Sequence, residues 1–239
     1  MLEGKRVVVA GASSGMGRAT AIRAAAAGAR VVLLARRADR LDETVESIRA
    51  AGGTAEAQEC DATDPGATRE AIEWAQQQLG GVDALVNSVG TNITRRSLAE
   101  LTVDGWRELL RVNLDAAFAL TQAVLPAFRQ QRDGLLVHVA SSAAKKPDAS
   151  GVGYQASKAG VAALAHATME EERANGVRVS TIFPGFTDTP MVERRPTPPT
   201  AEMLANALQP EDVAQMCLAV MALPPRAYVP ELLLYPSRL

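Results

Sequence analysis

A tyrosine and a lysine four residues apart, Tyr154 and Lys158 in the run Gly153-Tyr154-Gln155-Ala156-Ser157-Lys158, share one face of any helix that carries them. A phenol is a poor proton carrier near neutral pH until a cation stabilises its phenolate, and Lys158 offers a cation one turn away. The pair therefore reads as an acid–base couple, against the plainer alternative of two residues on a helix surface. A second chemical group is the run Gly11-Ala12-Ser13-Ser14-Gly15-Met16-Gly17, which follows the apolar stretch Val7-Val8-Val9-Ala10 and opens an Ala-rich segment. Glycines there let the backbone turn tightly against a pyrophosphate, and the free N–H groups of the following helix favour the anion.

The ends of later strands add to this. Val31-Val32-Leu33-Leu34-Ala35 ends without an acid, which would take the ribose 2′-hydroxyl of NAD, and continues into Arg36-Arg37, which suit the 2′-phosphate of NADP. The expected cofactor is thus NADP(H) in preference to NAD(H). The alternative is that both arginines are solvated residues ahead of a helix starting at Ala38, with Asp39 as its cap. Asp61, with Ala62 beside it, is placed to accept a hydrogen bond from an adenine amine, and Gly90 in Asn87-Ser88-Val89-Gly90 permits close approach to a ribose. All of these fall at carboxyl ends of expected strands, where open parallel sheets bind ligands.

The elements that must position these residues are β-branched runs alternating with segments of helical length, the pattern of βαβ units. Strands are expected at 6–10, 30–35, 54–59, 84–87, 135–141, 178–182 and 231–234, and helices at 15–27, 38–51, 65–79, 104–132, 151–174 and 210–222. Asp64 sits where a cap is wanted, Pro65 and Pro210 suit a first helical turn, and Gly28, Gly80 and Gly176 suit helix ends. The fold class is α/β, a doubly wound parallel sheet of seven strands with helices on both faces, in one domain spanning 1–239. A formal charge of -2 gives no basic field for nucleic acid or anionic lipid, so small-molecule chemistry is expected. Cys60 and Cys217 lie far apart without ligand spacing, which points to no metal and a reducing compartment. No signal-peptide pattern or membrane span is visible, and a cytoplasmic location is expected. The Pro-rich stretch from Glu193 to Thr200 belongs to a substrate loop at about 189–209, which reads equally as a lid or as an ordinary surface loop.

From Lys5 to roughly Asp212 the chain resembles the short-chain dehydrogenase/reductase family. The motifs run in order: the glycine turn, Asp61, an Asn-Ser-Val-Gly variant of the family's Asn-Asn-Ala-Gly, Asn113, a serine, Tyr-x-x-x-Lys, and Pro184-Gly185 followed by Thr189. The resemblance implies a Rossmann-type sheet of order 3-2-1-4-5-6-7. It implies that Tyr154 is the general acid or base, and that Lys158 both lowers its pKa and bonds the nicotinamide ribose. It further implies that Asn113 holds a water in a proton relay and that Ser141 bonds the substrate oxygen. Ser141 is preferred to Ser142 because the stretch 137–147 then matches the family without a gap. Pro184, Gly185, Phe186, Thr187 and Thr189 would hold the nicotinamide amide.

The activity so implied is hydride transfer between NADP(H) and the carbonyl or alcohol of a ketone, a keto or hydroxy acid or a sugar, as in a short-chain alcohol dehydrogenase or carbonyl reductase. A non-catalytic NADP(H)-binding regulator is the competing reading, and the intact Ser-Asn-Tyr-Lys set argues against it. Family members are commonly homodimers or homotetramers built through the helices that here begin at Asp104 and Gly151. The chain departs from the pattern at Ala10, at Ser88-Val89, at His138, which reads as a core residue, and in the tail 223–236, which lacks the Asp-Gly-Gly ending. Arg95, Arg96, Lys145, Lys146, Arg194 and Arg195 lie in segments that could rim the cleft and favour an anionic substrate. The reading of these six as solvated surface charges is preferred.

Overall fold

Runs such as Val7-Val8-Val9 and Val31-Val32-Leu33-Leu34 are apolar on both faces, which commits them to the interior of a sheet covered on both sides. In the computed structural model, which describes residues 1–238, they are β1 (Arg6–Ala10) and β2 (Arg30–Ala35), both buried at the sheet centre. With β3 (Thr54–Glu59), β4 (Ala84–Asn87), β5 (Gly134–Val139), β6 (Val177–Pro184) and β7 (Glu231–Leu234) they form one parallel sheet in the expected order 3-2-1-4-5-6-7.

The helices are α1 (Gly15–Ala26), α2 (Ala38–Ala50), α3 (Pro65–Leu79), α4 (Val103–Leu110), α5 (Ala116–Gln131), α6 (Val152–Glu172), α7 (Ala201–Ala205) and α8 (Pro210–Met221). Alternation along β1 sends Val7 and Val9 into a core with α1, α2 and α8, while Val8 and Ala10 face a second core with α3 and α5. The chain reverses its direction across the sheet between β1 and β4, and this switch point opens the crevice in which α/β sheets bind ligands.

Several boundaries moved for identifiable reasons. The strand expected to reach residue 141 stops at Val139, because Ser141 already caps a 3-10 turn at Ser142–Ala144. β6 is longer than 178–182 and runs to Pro184, whose missing N–H is tolerated at a strand end. The single helix expected over 104–132 is α4 and α5 joined by a π turn, Arg111–Asp115, that contains Asn113. Asp39 is not a cap: Arg37 holds the N-cap position of α2 and Asp39 lies in its first turn, where its charge favours the helix dipole. Asp64 does cap α3, accepting from the Gly66 and Ala67 amides at 2.8 and 3.1 Å.

Candidate active site

The phosphate end of the crevice is built by glycine. A Cβ on Gly11, which holds φ +80, would lie 2.8 Å from the Ser88 carbonyl, and one on Gly17 would collide with the Gly11 carbonyl oxygen. Bare backbone therefore folds against bare backbone, and Ser14, the N-cap of α1, contributes no side-chain cap. The first amides of α1 are left facing the crevice, an arrangement suited to a pyrophosphate. Gly17→Ala is expected to lower the melting temperature by roughly 3–8 °C and to weaken NADPH binding, because backbone cannot yield as a side chain can. Thermal denaturation with and without NADPH checks both parts.

Beside this turn, the Arg37 guanidinium donates to the Ser13 and Ser14 hydroxyls at 2.9 and 2.8 Å. Arg36 lines the same crevice and acts electrostatically on Asp61. Burial pushes the Asp61 carboxyl up, but hydrogen bonds from the Thr63 amide and hydroxyl, with the charges of Arg36 and Arg111, bring it below the usual carboxylate range. One Asp61 oxygen is thus engaged by Thr63. The crevice encloses about 480 Å³. Gly11, Ser13, Ser14, Gly15, Met16, Arg36, Arg37, Asp61, Ala62, Ser88, Val89, Gly90 and Thr189 all line it.

The remaining expected residues stand behind this lining. Asn87 is buried, its carbonyl oxygen accepting from the Val89 amide at 3.0 Å and its amide contacting His138 Nδ1 at 3.1 Å. Burial, with the Lys158 charge nearby, pushes the His138 imidazole down to about 3, so it is a neutral acceptor that orients Asn87. Pro184 is buried at the end of β6, and the Gly185 amide bonds the Leu234 carbonyl at 2.7 Å. Phe186 carries the Arg195 guanidinium over its ring at 4.4 Å, and Thr187 bridges to Leu208.

At the chemical end, Tyr154 and Lys158 are 8% and 4% exposed on α6. Lys158 donates to the Val139 carbonyl at 3.2 Å and stands 3.0 Å from the position of a Cβ on Gly90, which only glycine leaves open. Burial pushes its ammonium down to about 8. The Tyr154 phenol is raised: burial dominates, the Ser141 hydrogen bond opposes it, and the Asp148 and Arg96 charges act in opposite senses. The Arg96 charge acts on the phenol, and Lys158, on the same helix face, directs its ammonium to the β5 carbonyl. Ser141 also acts on the phenol's acidity, and its hydroxyl accepts from the Ala143 amide at 3.2 Å.

Asn113 sits in the π turn, fully buried. Its amide donates to the Thr91 carbonyl at 3.0 Å and the Ser157 hydroxyl at 2.9 Å, and its oxygen accepts from the Thr91 amide at 2.7 Å. The side chain therefore clamps the segment after β4 that carries Gly90 to the helix that carries Lys158. Thr91 carries no signal in the sequence, whereas Arg194, one of the cations that could rim the cleft, does line the crevice and donates to the Thr91 hydroxyl at 2.5 Å. Of the six cations that could rim the cleft, Arg96 bonds the Arg194 main-chain carbonyl and feels the charge of Arg195. Lys145 instead pairs with Glu231 at 2.5 Å, while Lys146 and Arg95 are exposed.

The arrangement puts a phenol with a hydroxyl partner and a buried ammonium beside a crevice whose glycines and arginines fit a dinucleotide. A family model described as short chain dehydrogenase matches residues 5–199. The 3-oxoacyl-[acyl-carrier-protein] reductase FabG of Thermotoga maritima is 33% identical over 223 residues, covering 91% of this chain and 90% of that protein. A metagenomic short-chain oxidoreductase solved in complex with NADP superimposes with a TM-score of 0.85 at 32% identity, covering 99% and 98% of the two chains. The alcohol dehydrogenase of Thermococcus sibiricus complexed with 5-hydroxy-NADP gives 0.88 at 26% identity, covering 98% and 97%.

Proposed function

Because the chain belongs to the short-chain dehydrogenase family and is an oxidoreductase of that family, we propose that it interconverts a carbonyl and an alcohol of a small molecule with NADP(H). The observation that carries this reading is the buried Tyr154 phenol partnered by Ser141, with Lys158 on the same helix face and the glycine-lined crevice beside it. The nicotinamide, when bound, supplies or accepts the hydride. Tyr154 gives its proton to the substrate oxygen in reduction, a role suited to a phenol that burial keeps protonated at neutral pH. Ser141 orients that oxygen. Lys158, beside Gly90, holds the cofactor ribose, and Asn113 keeps Gly90 and Lys158 in register through Thr91 and Ser157. A panel of ketones, keto acids and sugars followed by NADPH absorbance tests the reading, and the absence of NADPH oxidation with every member overturns it.

Arg36, Arg37, Ser13 and Ser14 form the 2′-phosphate site. NADP-bound relatives of the same fold support this choice. Arg37→Asp removes the guanidinium that gathers the two serines and adds a carboxylate, so preference for NADPH over NADH should fall by about 10- to 100-fold, the range of one charge-assisted hydrogen bond. Arg36→Asp should shift preference the same way. Titration of both cofactors against each variant decides, and an unaltered ratio would place the 2′-phosphate elsewhere.

A further inference from the structure

Arg96 is 7% exposed, an unusual state for a guanidinium without a carboxylate partner. Of its five N–H groups, one bonds the Arg194 main-chain carbonyl, and its buried Nε has no partner among the described residues. It forms no ion pair among those residues. Asp148, the acid whose charge reaches it, is exposed and accepts from the Ser150 amide at 2.8 Å. A second guanidinium, that of Arg195, acts electrostatically on Arg96, while the Arg194 side chain reaches away to the Thr91 hydroxyl.

This is a built feature. Gly151, at φ +88, has no Cβ, and one there would come within 2.5 Å of the Arg96 carbonyl and 2.7 Å of its Cβ. The helix that carries Tyr154 therefore begins directly against Arg96. The Arg96 and Tyr154 charges also influence each other, and Tyr154 follows three residues after the Gly151 that packs on Arg96.

Resting on the hydride-transfer reading above, we propose that Arg96, with the charge of Arg195 acting on it, binds a carboxylate of the substrate, which makes the substrate class keto acids and their hydroxy-acid products. A buried guanidinium with spare donors costs free energy that a planar carboxylate, accepting two parallel N–H bonds, offsets. An anion there also balances Arg96 and Arg195, neither of which has an ion-pair partner among the described residues. A purely structural Arg96, present only to fasten the Arg194 segment, would act alike on charged and neutral substrates.

The test compares keto acids with their methyl esters at saturating NADPH. Wild-type kcat/KM is expected to favour the acids by about 30- to 100-fold, the range of one charged hydrogen-bonding pair, with the difference mainly in KM. Arg96→Met should bring acids and esters to near parity, and Arg96→Lys should restore part of the preference. Arg195→Gln, on a partly exposed side chain, should shrink the preference by roughly fivefold and remains informative if the Arg96 variants fold poorly. Equal turnover of acids and esters by wild type, or an unchanged ratio in Arg96→Met, overturns the carboxylate site while ester reduction keeps the hydride-transfer reading intact. A preference for phosphonates over carboxylates overturns the carboxylate assignment. NADPH oxidation with none of these, nor with neutral ketones, overturns both proposals.

Discussion

Tyr154→Phe is expected to lower turnover by about 10³-fold while leaving NADPH affinity within roughly twofold, because it deletes one proton carrier and keeps the ring that packs in the core. The proposed role depends on the phenol, which acts as the proton donor to the substrate oxygen. The Ser141 hydroxyl remains to orient the substrate oxygen, so KM should change less than kcat. A direction follows from the electrostatics. Burial holds the phenol protonated at neutral pH, so reduction is expected to proceed over the whole neutral range, and oxidation, which needs the phenolate, should rise with pH through the alkaline range. Stopped-flow or steady-state rates of wild type and variant in both directions decide this. Near wild-type carbonyl reduction by the phenylalanine variant would remove Tyr154 from the chemistry.

Much of this molecule was legible in its sequence because the relevant signals are local. β1 and β2 are apolar throughout and can only be central, and the glycine turn must follow β1 because only glycine permits the contact between Gly11 and Ser88. The end of β2 likewise displays Arg36 and Arg37 on the wall of the crevice. What was hidden is tertiary. The π turn at Arg111–Asp115 inserts one residue without breaking the helical apolar pattern, so 104–132 read as one helix. Arginine is almost always solvated, and the burial of Arg96 depends on a contact with Arg194, 98 residues away. Spacing places Lys158 on the face of Tyr154, yet it cannot say that the carbonyl of Val139, at the end of β5, receives its ammonium.

That ammonium bears on a second expectation. Lys158→Met should cut turnover by about 10²–10³-fold, because it removes the group proposed to hold the ribose beside Tyr154. The same variant should be more stable. Lys158 is buried with its ammonium pushed down to about 8 from an ordinary 10.5, a gap worth about 3 kcal/mol of destabilisation wherever both states are protonated. Since the folded protein binds its proton less tightly than the unfolded chain, this penalty is complete below pH 8, shrinks as pH rises, and is gone near 10.5. Methionine fills a similar space without charge but abandons the Val139 carbonyl, which costs about 1 kcal/mol, so the net gain at neutral pH is about 2 kcal/mol. Denaturant melts at pH 7 and pH 10 should therefore show a gain at the lower pH that vanishes at the higher. A variant that loses both activity and stability at pH 7 would mean that the carbonyl outweighs the buried charge. A gain in stability with loss of turnover is what a cation kept for function, at the expense of the fold, requires.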